Sequence, residues 1–159
     1  MGGMGNVLAD MEVGVPYVIR ARVGSASYLA GSTAVVVSIF NKDCPHKLRI
    51  LKAGFVVQTM TLTDWTDGDG GNLDFKIEHG DGAGSESFND ILASQTLDDD
   101  YDVDDADWFP NGTVNLDQTY CVIGVGESLK ATLTGDPDDT TTDSAATWID
   151  VWFKVMRIN

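Results

Sequence analysis

Basic residues are scarce in this chain: ten Lys and Arg stand against 25 Asp and Glu, for a formal net charge of −15. Sequence-independent nucleic-acid binding rests on cations that neutralise phosphates, so DNA and RNA are not expected partners. Cysteine is almost absent. Cys44 and Cys121 lie far apart without CxxC or CxxH spacing, which excludes a zinc site or redox motif of the usual kind. Both sit in or beside apolar segments, as buried free thiols do, although spacing alone leaves a bond between them open. The two histidines, His46 and His79, have no neighbouring nucleophile and orienting acid, and no GxSxG, P-loop, HExxH or dinucleotide fingerprint occurs. An enzyme is therefore not expected, nor a cofactor. No apolar run approaches the roughly 20 residues that cross a bilayer, and the first residues lack the basic and apolar regions of a secretory signal, so no membrane partner is expected. No repeat of 20 to 50 residues is visible, which argues against a solenoid or propeller.

What is present is a succession of short segments rich in β-branched and aromatic residues, set between Gly and Asp turns. Residues 17–22, 33–40, 47–52, 55–62, 73–79, 87–93, 120–125, 128–134 and 147–158 each suit a pleated surface. They predict an all-β domain of about nine strands, an antiparallel β-sandwich of jelly-roll-like kind. Residues 1–16, with four glycines and one proline, predict an extended N-terminal arm, leaving 17–159 as the single sandwich domain. The best helical candidate, 87–96, is short enough to be a strand.

Alternation is clearest in two segments. Leu73, Phe75 and Ile77 oppose Asp74, Lys76 and Glu78, while Leu129, Ala131 and Leu133 oppose Lys130, Thr132 and Thr134. Both patterns predict a surface strand with one buried and one wet face. The closing segment differs, because Ile149, Val151, Phe153 and Val155 share one face and Trp148, Trp152, Met156 and Ile158 share the other with Asp150 and Lys154. Such a strand is either covered on both sides within one subunit or used as a subunit contact. Turn residues at 67–72, 79–82 and 124–127 fit hairpins, the last joining 120–125 to 128–134.

Charge is unevenly spread. Residues 1–52 hold Arg20, Arg22, Lys42, Lys47, Arg49 and Lys52 against Asp10, Glu12 and Asp43, so the remainder carries −18, which predicts two different faces. In the run from Asp98 to Asp107, Asp100, Asp102 and Asp104 match the first three ligand positions of an EF-hand loop. Asp105 then stands where that loop needs glycine and Asn111 where it needs glutamate. The run reads as a solvated, self-repelling loop, with those three aspartates the residues to watch for a cation. Asp67, Asp69 and Asp74 form a second, looser group. Asn111-Gly112-Thr113 reads as a turn. Trp65, Tyr101, Trp108 and Phe109 fall in or beside loops, where they either pack on the core rim or stack on sugar rings.

Three stretches carry a resemblance: Val15-Pro16-Tyr17, the run from His46 to Phe55, and Gly126 to Thr134 followed by Trp148 to Ile158. In them the chain resembles the small decoration, or cement, proteins of tailed-phage virions. The resemblance implies a β-sandwich or jelly-roll homotrimer on the outer capsid surface, with the major capsid protein as partner and no cofactor. On that reading Trp148, Trp152 and Met156 supply the contact between copies. The arm with Arg20 and Arg22 faces the shell, and the aspartate loops face outward. The alternatives are a glycan-binding module, calcium-assisted through the aspartates, or another virion part such as a head fibre, head–tail or tail protein.

Overall fold

The computed structural model describes residues 11–25, 33–60, 73–97, 104–135 and 147–159. These form nine strands: β1 (Pro16–Ser25), β2 (Ala34–Phe40), β3 (Leu48–Met60), β4 (Leu73–Gly80), β5 (Phe88–Leu97), β6 (Ala106–Phe109), β7 (Val122–Ile123), β8 (Ser128–Thr134) and β9 (Thr147–Arg157). There is no helix among the described residues. One sheet has the order β1-β9-β3-β6 with β7 also on β3, and the other has the order β2-β8-β4-β5.

The pairing follows from treating the chain as one long antiparallel ribbon. Its two halves match β1 with β9, β2 with β8, β3 with β6 and β4 with β5. Winding that ribbon on itself then brings β9 against β3 and β8 against β4. This is the strand order of a jelly-roll winding, and it makes an antiparallel β-sandwich.

The core lies where the two sheets face each other. Ile149, Val151, Phe153 and Val155 of β9 are buried, as are Phe75 and Ile77 of β4 and Leu129, Ala131 and Leu133 of β8. Phe55 of β3 sits among them, 5.3 Å from Phe75 in an edge-on contact and 6.5 Å from Phe109. Truncating such an aromatic typically costs about 3–5 kcal/mol.

Five expectations change at this level. The segments expected at 47–52 and 55–62 merge, over their described residues, into the single strand Leu48–Met60, because Ala53 and Gly54 continue the β3 ladder to β9 instead of breaking it. Trp108 and Phe109 lie in a strand, β6, and not in a loop. The turn at 124–127 joins no hairpin, since β7 pairs in one sheet and β8 in the other. Residues 67–72 lie outside the described residues, but the strands on either side, β3 and β4, belong to different sheets. Only the turn between β4 and β5 closes a hairpin of the kind expected, because local turn chemistry is the same whether the chain returns to its neighbour or crosses to the opposite sheet. Finally, β8 is an interior strand of its sheet, and its outward Thr132 is buried, as is Glu78 beside it on β4.

Of the expected arm, residues 1–10 lie outside the described residues. The remainder is pinned beside the end of β9: Met11 is buried, Val13 bridges to Arg157 in parallel, Gly14 N–H donates to the Arg157 carbonyl, and the Arg157 guanidinium donates to the Met11 carbonyl.

Candidate functional site

The outward side of the β1-β9-β3-β6 sheet gathers the residues singled out in the closing segment and in β1. Strand register fixes one row across it: Arg20 on β1 lies opposite Trp152 on β9, which lies opposite Gly54 on β3, which lies opposite Trp108 on β6. Four strands at the usual spacing make this row about 14 Å wide. The Arg20 guanidinium caps the Trp152 ring at 5.0 Å from its centroid, and Trp108 meets the same ring edge-on at 6.1 Å and 66°.

Gly54 makes that row possible. A Cβ there would lie inside contact distance of the Asp107 carbonyl oxygen and 3.0 Å from ring atoms Cδ2 and Cε3 of Trp108. A glycine inside a strand commonly marks such a close approach. Trp108 is 38% exposed, and the indole N–H of Trp152 is buried with no hydrogen-bond acceptor among the described residues.

The adjacent row places Arg22 opposite Asp150 and Asp150 opposite Val56. Asp150 is buried, and both guanidiniums close over it: Arg22 Nε donates to Oδ1 at 2.7 Å and its Nη2 to Oδ2 at 3.2 Å, while Arg20 Nη2 also binds Oδ2. The Arg22 hydrogen bond, against the opposing effect of burial, holds the Asp150 carboxyl below its ordinary pKa, with Arg20 adding to the same direction. On the other side of the aromatic row, Lys52 of β3 and Lys154 of β9 are exposed and directly opposite each other, with the 58%-exposed Val18 of β1 next to Lys154. Arg49 opposite Met156 extends the cationic surface toward the end of the sheet. From the Met156 row to the Asp150 row, five cations face one carboxylate. A basic, tryptophan-bearing sheet face on a chain of −15 is a surface suited to recognition.

The second sheet repeats the device with weaker parts. Glu78, 6% exposed, accepts from Lys76 Nζ at 3.0 Å and Thr132 Oγ1 at 3.2 Å, and pairs with Lys130 Nζ at 3.3 Å. Burial pushes the Glu78 carboxyl upward, but the two lysines outweigh it and its pKa is lowered. Lys130 also lies 3.5 Å from the Phe88 ring centroid. Here Asp90, 3.9 Å from Lys76, and Asp74 return acidic charge to the face.

One end of the sandwich is tied by polar contacts. His79 Nε2 lies 2.7 Å from Glu127 Oε2, and Gly124 N–H donates to the same carboxylate. Gly126 N–H donates to the Cys44 carbonyl, and Lys42 Nζ reaches the Ala83 carbonyl at 2.6 Å. These contacts tie the end of β4 to the loop before β8, and the loop after β2 to the loops after β4 and before β8. His46 has a buried Nε2 without a partner among the described residues. Cys44 and Cys121 are free, buried thiols, and burial pushes each up to about 11, which leaves little reactive thiolate at neutral pH.

The structure thus sets Arg20 over Trp152 and links Arg20 to Arg22 through Asp150, with Met156 and Trp148 half-buried on the same side of β9. Asp150, Gly54, Trp108, Lys52 and Lys154 join them; the sequence signalled Asp150 and Lys154 through the closing segment, Trp108 as a loop-side aromatic and Lys52 as one of the N-terminal cations, but nothing that places them on one face. Asp100, Asp102, Tyr101 and Trp65 lie outside the described residues. Asp104 is exposed with a positive φ of 76°, and no group of three metal-ligating side chains occurs among the described residues. Asn111 caps its own turn, its Oδ1 accepting from the Thr113 and Val114 amides.

Fold and face together define a jelly-roll-wound sandwich with one basic, aromatic sheet surface. Among solved structures the chain is similar to the capsid of Ralstonia phage GP4, with TM-score 0.49 and 9% identity over 92% of this chain and 87% of that one. It is also similar to the infectious bursal disease virus Gx strain structure, with TM-score 0.46 and 17% identity over 91% of this chain and 33% of that one. No family model and no curated protein matches the sequence. At these identities no functional residue carries over from either structure.

Proposed function

We propose that the chain is a virion structural protein, a capsid decoration protein that binds the major capsid protein on the outer shell surface as a symmetric oligomer and stabilises the shell. The observation that carries this reading is the Arg20–Trp152–Gly54–Trp108 row and the cations around it. It is a surface that is basic on a strongly acidic protein, built on strands and not on loops. Arg and Trp are the side chains that most often dominate protein–protein contacts. Seating many copies on equivalent sites adds avidity without a strong single contact.

The geometry supports a narrower assignment of the surfaces. Trp148, Trp152 and Met156 share their face with Arg20 and Arg22, so a two-fold contact of this face with itself would set cations against cations. We assign the face to the shell; a cyclic trimer joins different patches of neighbouring copies, so this self-repulsion does not set where they meet. The homotrimer implied by sequence resemblance remains the proposed oligomer.

The test is sedimentation with capsid shells that lack the protein. Wild type is expected to bind in a fixed, symmetric copy number, and Trp108→Ala or Arg20→Glu to weaken binding about tenfold or more. Absence from intact particles, or unchanged binding by both variants, overturns the reading. The exposure of Trp108 favours one second reading, a glycan-binding face; there a sugar panel changes tryptophan fluorescence while shells are not bound.

A further inference from the structure

Three sets of donors on the outer side of the β1-β9-β3-β6 sheet are left unanswered. Lys52 and Lys154 oppose each other directly across β3 and β9, and neither makes an ion pair with a described residue. Arg20 and Arg22 share the single Asp150 carboxylate while each side chain stays 52% exposed, so guanidinium N–H groups remain for another acceptor. The Trp152 indole N–H is buried without any acceptor among the described residues. Like charges directly across a strand pair destabilise it, and an unanswered buried donor costs stability. Both defects lie on one surface; an anionic partner removes the first, while the indole N–H, being buried, lies beyond its reach.

We propose that this face docks a protein surface presenting carboxylates, one of which enters between Lys52 and Lys154 while others meet the guanidiniums beside Trp152. The proposal deepens the docking reading above and rests on it. Carboxylates fit better than the other anionic or stacking ligands. Arg20 already caps the Trp152 ring and Trp108 abuts it edge-on, so that ring offers no open face on which a base or sugar stacks. A nucleic-acid backbone must be neutralised at many phosphates, and the net charge of −15 opposes it. A second copy applied face to face brings like charge. The acids Asp74, Glu78 and Asp90 sit on the far sheet, about 10 Å or more away, where salt screens them from a partner on this face.

Lys154→Glu separates docking from folding. It turns the Lys52 pair from repulsive to attractive, so the variant is expected to melt about 1–3 °C higher than wild type. Its binding to shells is expected to fall at least tenfold, and the tryptophan fluorescence change of wild type with a glutamate decapeptide to disappear. Lys52→Glu should reproduce both effects. If Lys154→Glu binds shells as wild type does, the carboxylate proposal is overturned while the decoration reading stands. If wild type responds to the decapeptide, and Lys154→Glu does not, yet no shell is bound, the carboxylate site stands and the decoration reading falls. A response to oligothymidylate or to sugars, with none to the decapeptide, overturns the proposal in favour of those ligands.

Discussion

The two outward sheet faces solve one problem with different residues. Each carries a nearly buried carboxylate, held by two cations, with one of those cations over an aromatic ring: Asp150 with Arg20, Arg22 and Trp152 on one side, Glu78 with Lys76, Lys130 and Phe88 on the other. On the second sheet Asp90 and Asp74 restore acidic charge, and the set reads as a closed structural network. On the first, Lys52, Lys154 and Arg49 add cations that no described acid answers, and the planar guanidiniums keep donors to spare. On the proposed reading, the device that clamps a sheet becomes a docking surface once its charges are left unbalanced.

The sharpest way to break this comparison is to strip both clamps. Arg20→Ala with Arg22→Ala leaves Asp150 without a cation, and Lys76→Ala with Lys130→Ala does the same to Glu78. Each double variant is expected to unfold at lower denaturant than wild type, because the carboxylate left in the sheet loses its compensating cations, although the truncated side chains admit some water. Denaturant melts measure this. Shell binding should then divide them, falling at least tenfold for the arginine variant and holding for the lysine variant. Equal loss of binding in both would show that the faces are not functionally distinct.

A smaller effect tests the feature peculiar to the first face. Gly54→Ala forces β6 or the Trp108 ring to shift, at an expected cost of about 1–2 kcal/mol. Because the Trp108 and Trp152 rings then separate, near-ultraviolet circular dichroism from the coupled indoles should weaken while the far-ultraviolet strand signal holds. An unchanged near-ultraviolet spectrum would mean that Gly54 does not set the ring contact.

Period-two alternation made the strands legible in the sequence, and it placed the core residues of β4, β8 and β9 on the correct side. It failed where a local signal has two meanings. Gly54 reads as a break in one dimension and is a clearance for a tryptophan in three, so one strand was divided in two. Trp108 and Phe109, set between aspartates and a proline, carry too short a pattern to announce β6. Lys130 and Thr132 look wet because they alternate with leucines, yet Glu78 brings both into a buried network from another strand. The proposed docking face was half visible: the apolar outer side of β9 and the cations of β1 could be seen separately. Their meeting depends on the pairing of residues about 130 positions apart, and no local pattern encodes that.

The acid limb of stability ranks the two clamps most finely. Both carboxyls lie below their ordinary range, so each pair contributes fully above the unfolded pKa values of about 3.9 for Asp and 4.3 for Glu, and is lost as pH falls through the lower folded value. The leading influences differ. For Asp150 the Arg22 hydrogen bond dominates and acts downward; for Glu78 burial dominates and acts upward against the lysines. Glu78 should therefore protonate first. With half-exposed arginines screening the gain, Asp150→Asn is expected to cost about 1 kcal/mol at neutral pH, a shift of about 2–4 °C in melting temperature. The gap between wild type and Glu78→Gln should close at a higher pH than the gap between wild type and Asp150→Asn, in melts run from pH 7 to pH 2.5. The reverse order, or gaps that widen in acid, would mean that the arginine clamp is the weaker of the two and that its exposed donors are not spare.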